Sequence, residues 1–189
     1  MKKSLTLFVF TLCFMFLAIV SFADSIPQTK QEKVHERMIK KLATLDGKWK
    51  GFLEYLDYGD NKSKTKLPTE VEAKFNKSGN DKYLSVKFIY DEGKGRTVTG
   101  EDAWTILDEG NIFFYDSINY VITQYVQNDD NNDIAVFVFE KEGKDNDKSC
   151  NIEQTFEIHN DSFSIIKKVK YTGEQHSFVR HEYSFQRIK

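Results

Sequence analysis

Apolar residues that return at every second position constrain this chain more than anything else. In "YLSVKFIY" Leu84, Val86, Phe88 and Tyr90 fall on one face. "NIEQTFEI" groups Ile152, Phe156 and Ile158, with Gln154 among them, and "VRHEYSFQR" groups Val179, His181, Tyr183 and Phe185. A period of two is that of a strand with one buried face. Polar breaks separate the runs, from Asp57–Asn61 to Asn128–Asp133, Glu142–Lys148 and Thr172–Glu174. Eight such breaks imply nine strands, and a further break at Asp116-Ser117 makes ten. The order is that of an antiparallel meander.

Only one helical pattern precedes them. Thr29-x-x-Glu32 reads as a capping box, and Val34, Met38, Leu42 and Leu45 follow as an apolar stripe. Gly47 is expected to stop the helix in a left-handed conformation. One helix cannot cover both faces of so long a sheet. The economical solution is a mainly β fold, a single antiparallel up-and-down barrel of 8–10 strands with one N-terminal α-helix, closed so that no edge remains. A β-sandwich is the alternative. The expected domains are a signal peptide at 1–23, a short linker at 24–28, a helix at 29–46 and the barrel at 47–189.

The beginning of the chain carries an address. Lys2 and Lys3 precede an apolar run from Leu5 to Val20, and Ser21-Phe22-Ala23 supplies small residues where a signal peptidase cuts. Cleavage after Ala23 would leave 166 of the 189 residues, with a net charge of −4 once Lys2 and Lys3 are gone. The product is expected outside the cytoplasm, secreted or periplasmic. A mildly acidic surface argues against nucleic acid and anionic membrane as partners, and no stable membrane insertion is expected after processing. A sheet that closes on itself is expected to act as a monomer. Cys150 is then the single cysteine, so no internal disulfide can form, and a half-buried reduced thiol is expected.

The join between helix and first strand reads "LDGKWKG". A helix running into Gly47-x-Trp49 resembles the calycins, the lipocalins and fatty-acid-binding proteins. The resemblance implies that Trp49 packs across the closed end of a barrel, with an arginine from a late strand on its ring. Arg187 is the first candidate for that contact and Arg180 the second. "GKWKG" also resembles the start of the nitrobindins, haem-binding barrels of similar kind with a proximal histidine near the C-terminus. By that resemblance His181 would be a haem ligand.

The chemistry-bearing residues are sparse. His181 and Tyr183 share an otherwise apolar face, so they are either satisfied core groups or polar groups of a pocket. They stand where fatty-acid-binding proteins carry the Arg-x-Tyr pair that grips a carboxylate. The candidate ligand-binding set is His181, Tyr183, Tyr90, Phe88, Phe156 and Tyr55, with Trp49 and Arg187 closing the barrel. His176 and His181 are five apart and fall on opposite faces of a strand, so no metal site is expected. Asp129, Asn131, Asp133 and Glu140 have calcium-loop spacing, but Ile134 occupies the position that needs glycine, which leaves a hairpin turn. No nucleophile elbow, phosphate loop or paired-cysteine motif is present, so no enzymatic activity is expected. The reading is a binding protein for a small apolar or amphipathic molecule, with no resident cofactor. A haem barrel using His181 and an envelope interaction module with a filled core are the alternatives.

Overall fold

The computed structural model describes residues 28–60, 62–107, 111–128 and 134–189. The expected signal peptide, the linker and the Asp129–Asp133 turn lie outside the described residues, apart from Gln28. Helix α1 (Gln28–Ala43) leads into ten strands: β1 (Gly47–Leu56), β2 (Lys64–Ser78), β3 (Asp81–Asp91), β4 (Thr97–Leu107), β5 (Ile112–Tyr115), β6 (Ile118–Gln127), β7 (Ala135–Asp145), β8 (Lys148–Ile158), β9 (Ser162–Tyr171) and β10 (Phe178–Arg187). Each strand pairs antiparallel with its chain neighbour, and β1 pairs with β10, so the sheet is a closed barrel. The alternative sandwich is thereby excluded. No helix among the described residues is long and apolar enough to cross a membrane.

The break at Asp116-Ser117 does separate two strands. Both residues have positive φ, 52° and 57°, between the paired Tyr115 and Ile118. Asn146 and Asp147 repeat this geometry between Asp145 and Lys148. Such two-residue turns match the twist of the strands they join. The turn expected at Glu142–Lys148 is therefore only two residues long, and β7 continues inward-facing as far as Asp145.

The barrel has two unlike ends. At one, α1 packs Met38, Ile39 and Leu42 against the core, and Leu45 follows, fully buried. The helix ends at Ala43, before Gly47, because three i→i+3 bonds, from Thr44, Leu45 and Asp46 to Lys41, Leu42 and Ala43, tighten it into a turn. Gly47 sits at φ 133°, already in the strand rather than as a left-handed cap. Trp49 is wholly buried there and its indole N–H donates to Leu45 O at 2.8 Å. The Arg187 guanidinium lies 4.0 Å from the Trp49 ring centroid and donates to Asp46 O at 2.9 Å and to Thr44 O. Phe163 meets the indole edge-on at 4.9 Å.

Both glycines of "GKWKG" have a steric reason. A Cβ on Gly47 would come 2.8 Å from Arg187 Nη1. A Cβ on Gly51 would come 1.8 Å from Ser184 O, within the backbone of β10. Above this floor the interior is filled by aromatics. Phe156 has Trp104, Phe113, Tyr115 and Phe139 within 5.3 Å, centroid to centroid.

Candidate functional site

The other end carries the loops β1–β2, β3–β4, β5–β6, β7–β8 and β9–β10. Here a cavity of about 300 Å³ opens, lined by Leu53, Tyr55, Tyr58, Leu67, Tyr90, Glu92, Val98, Arg180 and His181. Its walls are apolar and aromatic, and its polar groups are few, the usual make-up of a small-molecule site. Larger hollows lie on the outer wall; one runs among Glu72, Lys74, Lys87 and Glu101. Another, of about 420 Å³, lies between α1 and the β3–β4 wall and is largely apolar, with Ile39, Tyr83, Ile106, Leu107 and Phe114 beside His35; unlike the mouth cavity it lies outside the barrel.

The six residues expected to bind ligand divide into two groups. Tyr55, Tyr90 and His181 line the cavity. Tyr183 lies below, buried, its hydroxyl 3.0 Å from that of Tyr90. Phe88 stacks beneath this pair, 5.3 Å from Tyr183, and does not line the cavity. Phe156 belongs to the filled core, so the structure does not bring it to the mouth. Trp49 and Arg187 are together at the opposite end.

The expected inward face of β10 needs correcting. Val179 is exposed, while Arg180 beside it is fully buried. The pairing with β9 slips between Val179 and His181, which oppose the consecutive residues Lys168 and Lys167. Arg180 is the extra residue of a β-bulge, which resets the alternation and lets Arg180 and His181 both face inward. Arg180, the second candidate for the Trp49 contact, is consequently an open-end residue.

Arg180 anchors a buried polar cluster that the sequence reading missed. Its Nη2 donates to Asp145 Oδ2 at 2.5 Å and to Tyr171 Oη at 2.9 Å. The Tyr171 hydroxyl donates to the same carboxylate at 3.0 Å. Lys167 Nζ stands 3.6 Å from Asp145 Oδ1. Tyr58, on the β1–β2 loop, lays its ring over the Arg180 guanidinium at 4.6 Å, and Asn146 donates to Tyr58 O at 3.2 Å, tying that loop to the β7–β8 turn. Asp145 had read as part of a turn and Arg180 as the second candidate for the Trp49 contact. Only a bulge and a two-residue turn bring them together, and neither leaves a periodic signal.

His181 takes its character from this setting. Burial, aided by the Lys167 cation, lowers its pKa to about 3, so the imidazole is neutral. Its Nε2 is buried and has no hydrogen-bond partner. Burial also pushes the hydroxyls of Tyr90 and Tyr183 up, which keeps both protonated. Cys150, on β8, is a free, buried thiol rather than a half-buried one. No group of three or more metal-ligating side chains is gathered among the described residues.

Comparisons with known proteins bear on the fold alone. No protein-family model matches the chain, and no curated protein matches it. Among solved structures, the crystal structure of Rv2717c from M. tuberculosis is similar, with a TM-score of 0.52 at 14% identity, covering 80% of this chain and 97% of that one. At that identity, the likeness extends to the barrel and no further.

Proposed function

We propose that this protein is an exported, calycin-like barrel that binds a small, largely apolar molecule at its open end. The observation that carries the reading is the cavity itself. Tyr55, Tyr58, Tyr90, Leu53, Leu67 and Val98 offer apolar area, and Arg180 and His181 add polar groups beside them. Burial of the ligand's apolar surface would supply affinity, at about 25 cal/mol per Å². The few polar groups would orient it. The "GKWKG" seam supports the calycin kinship. Lys2, Lys3, the apolar run and Ala23 support export, and with it a secreted or periplasmic location. Closure of the barrel supports a monomer.

The haem reading has one point in its favour: a neutral histidine with an unpartnered Nε2. The surroundings do not fit it. That nitrogen is closed off by neighbouring side chains, and the cavity lies at the small end of the usual range for organic ligands. A rigid macrocycle could not bring iron to it without displacing the tyrosine walls.

The test is affinity for a fluorescent long-chain probe, measured on the native protein and on Tyr55→Ala. Micromolar binding that weakens about tenfold in Tyr55→Ala, with an unchanged melting temperature, supports the reading. Absence of any binding, or binding indifferent to Tyr55, removes the mouth as the site.

A further inference from the structure

The barrel wall is closed around its lower half, but on one side it stops short of the mouth. β4 pairs with β3 from Asp91↔Thr97 to Leu84↔Trp104, yet with β5 only from Thr105↔Phe114 to Leu107↔Ile112. β5 and β6 turn back at Asp116-Ser117, while β4 runs on to Thr97 and β7 to Asp145. On the far side β6 meets β7 from Val121↔Glu140 downward, and residues 141–145 pair with β8 alone. Above the Asp116-Ser117 turn there is thus a slot with a strand edge on each side.

The β4 edge of this slot is open. The Glu92 amide donates to Arg96 O at 3.0 Å, which sets the alternation of the β3–β4 ladder. Val98, Gly100 and Asp102 direct their backbone groups to β3, and Thr97, Thr99 and Glu101 direct theirs into the slot. Asp102 marks where the ladder to β5 ends. Its carboxylate accepts from the amides of Ala103 at 2.8 Å and Asp116 at 2.6 Å, the two that the next rung would have used, and from Trp104 Nε1 at 2.7 Å. Above that cap Thr97, Thr99 and Glu101 are exposed. Native edges are commonly guarded by a proline, a lysine or a bulge. β4 has none of these, and its free end reads Thr97-Val98-Thr99, which favours a strand.

We propose that residues 97–101 of β4 form a docking slot for an extended polypeptide segment of a partner, which adds a strand in line with β5 and so completes the wall. Free backbone donors and acceptors in a row call for another backbone. The shape of the slot selects a single segment. A second copy of this chain holds its strands in a closed barrel, with its own β4 edge recessed in the same way, so two copies cannot meet edge to edge. Alternate side chains of the added strand would point inward, opposite Val98 and Gly100. Val98 and Tyr90 line the mouth cavity, so an apolar side chain suits that place, and Gly100 has no side chain to obstruct it. The inference goes beyond the small-molecule reading of the mouth and does not depend on it.

Amide hydrogen exchange of the native protein reads the slot directly. Thr97, Thr99 and Glu101 should exchange about a hundredfold faster than Val98, Gly100 and Asp102; equal protection of the two sets would mean that the edge is already paired and would overturn the slot. The probe is acetyl-Val-Thr-Val-Thr-Val-amide at millimolar concentration, with the same peptide methylated on every backbone nitrogen as its control. The unmethylated peptide should slow the three slot amides about tenfold. No slowing overturns the proposal, and so does equal slowing by the methylated peptide, which cannot form a ladder. Thr99→Pro removes a donor that β3 does not use and blocks the edge. That variant should melt like the native protein and no longer respond to the peptide; a response retained in it contradicts the slot. If it does not fold, the methylated control on the native protein decides alone. A fluorescent long-chain probe that binds where the peptide does not would overturn the slot and leave the mouth reading intact.

Discussion

The closed end and the open end of this barrel are built from similar parts and used differently. Each has an arginine on β10 stacked on an aromatic ring. At the closed end, Arg187 covers Trp49 and spends its donors on the helix-terminal carbonyls of Thr44 and Asp46. The Trp49 indole and the Arg187 guanidinium both complete pieces of backbone there, and glycine is called for by a positive φ at 47 and by the β10 backbone at 51. At the open end, Arg180 lies under Tyr58 and meets a carboxylate, a hydroxyl and a neighbouring lysine. Polar atoms on Gln154 and His181 are left over. A barrel needs one sealed end to be a stable fold. Buried polar groups without a partner are uncommon in native folds, and here they lie at the open end.

That contrast can be broken by substitution, beginning with the largest effect. Gly51→Val drives a side chain into the β10 backbone, which no rotamer relieves. Overpacking of this kind costs about 3 kcal/mol or more, and the variant is expected to lose its cooperative unfolding transition in circular dichroism. A Gly51→Val protein that melts like the native one would mean that β1 and β10 are not so closely paired.

Asp145→Ala attacks the open end. It leaves Arg180 buried without its carboxylate, and breaking such a pair costs about 3–5 kcal/mol. The informative companion is Asp145→Leu with Arg180→Met, which removes both charges. Denaturant melts should place it near the native stability, because the pair is not what holds the barrel shut. A double variant as damaged as Asp145→Ala would make the cluster part of the scaffold after all.

Acid separates the ends without mutation. His181 has a folded-state pKa of about 3, against about 6.5 when unfolded. The unfolded chain therefore binds a proton that the folded one refuses, and stability rises with pH between those values. Stability should be at its plateau above pH 6.5 and fall by about 1.4 kcal/mol per unit once pH is well below it. His181→Phe should flatten that part of the profile; a profile unchanged by His181→Phe would show that the imidazole is not buried neutral.

The smallest effect belongs to Arg187→Ala. Loss of the stacking and of the bonds to Thr44 and Asp46 should lower stability by about 1–2 kcal/mol, with probe affinity unchanged in the same titration. Weakened binding in Arg187→Ala would couple the two ends.

The two ends were not equally legible in the sequence. The closed end is written in local terms: a helical stripe that stops, a glycine, a tryptophan, then alternation. Its partner Arg187 was named only through the calycin resemblance, which implies an arginine of a late strand on the tryptophan ring. Even so, the stop was misplaced, since the three i→i+3 bonds that end α1 at Ala43 have no residue signature in Thr44-Leu45-Asp46, and the positive φ that calls for glycine at 47 belongs to the first residue of β1 rather than to a helix cap. At the open end the period itself fails. One inserted residue at Arg180 moves Val179 outside and brings a charge inside. Asp145 looked like a turn residue because the true turn, Asn146-Asp147, is only two residues long. Lys167 gave no sign in "SIIKKVK", where two adjacent lysines face opposite ways. Tyr55, Tyr90 and His181, which line the cavity, were chosen by aromatic and polar character on inward faces, and the same criterion swept in Phe156, which fills the core.

The account stands most directly on where a ligand lands. Backbone amide shifts of the labelled protein, followed while dodecanoate is added, would locate it residue by residue. The largest changes should fall at Leu53 to Tyr58, Leu67, Tyr90 to Val98 and Arg180 to Tyr183, while Leu45 to Trp49 and α1 stay still. Changes centred on α1 and Trp49, or spread evenly with none at the mouth, would contradict it.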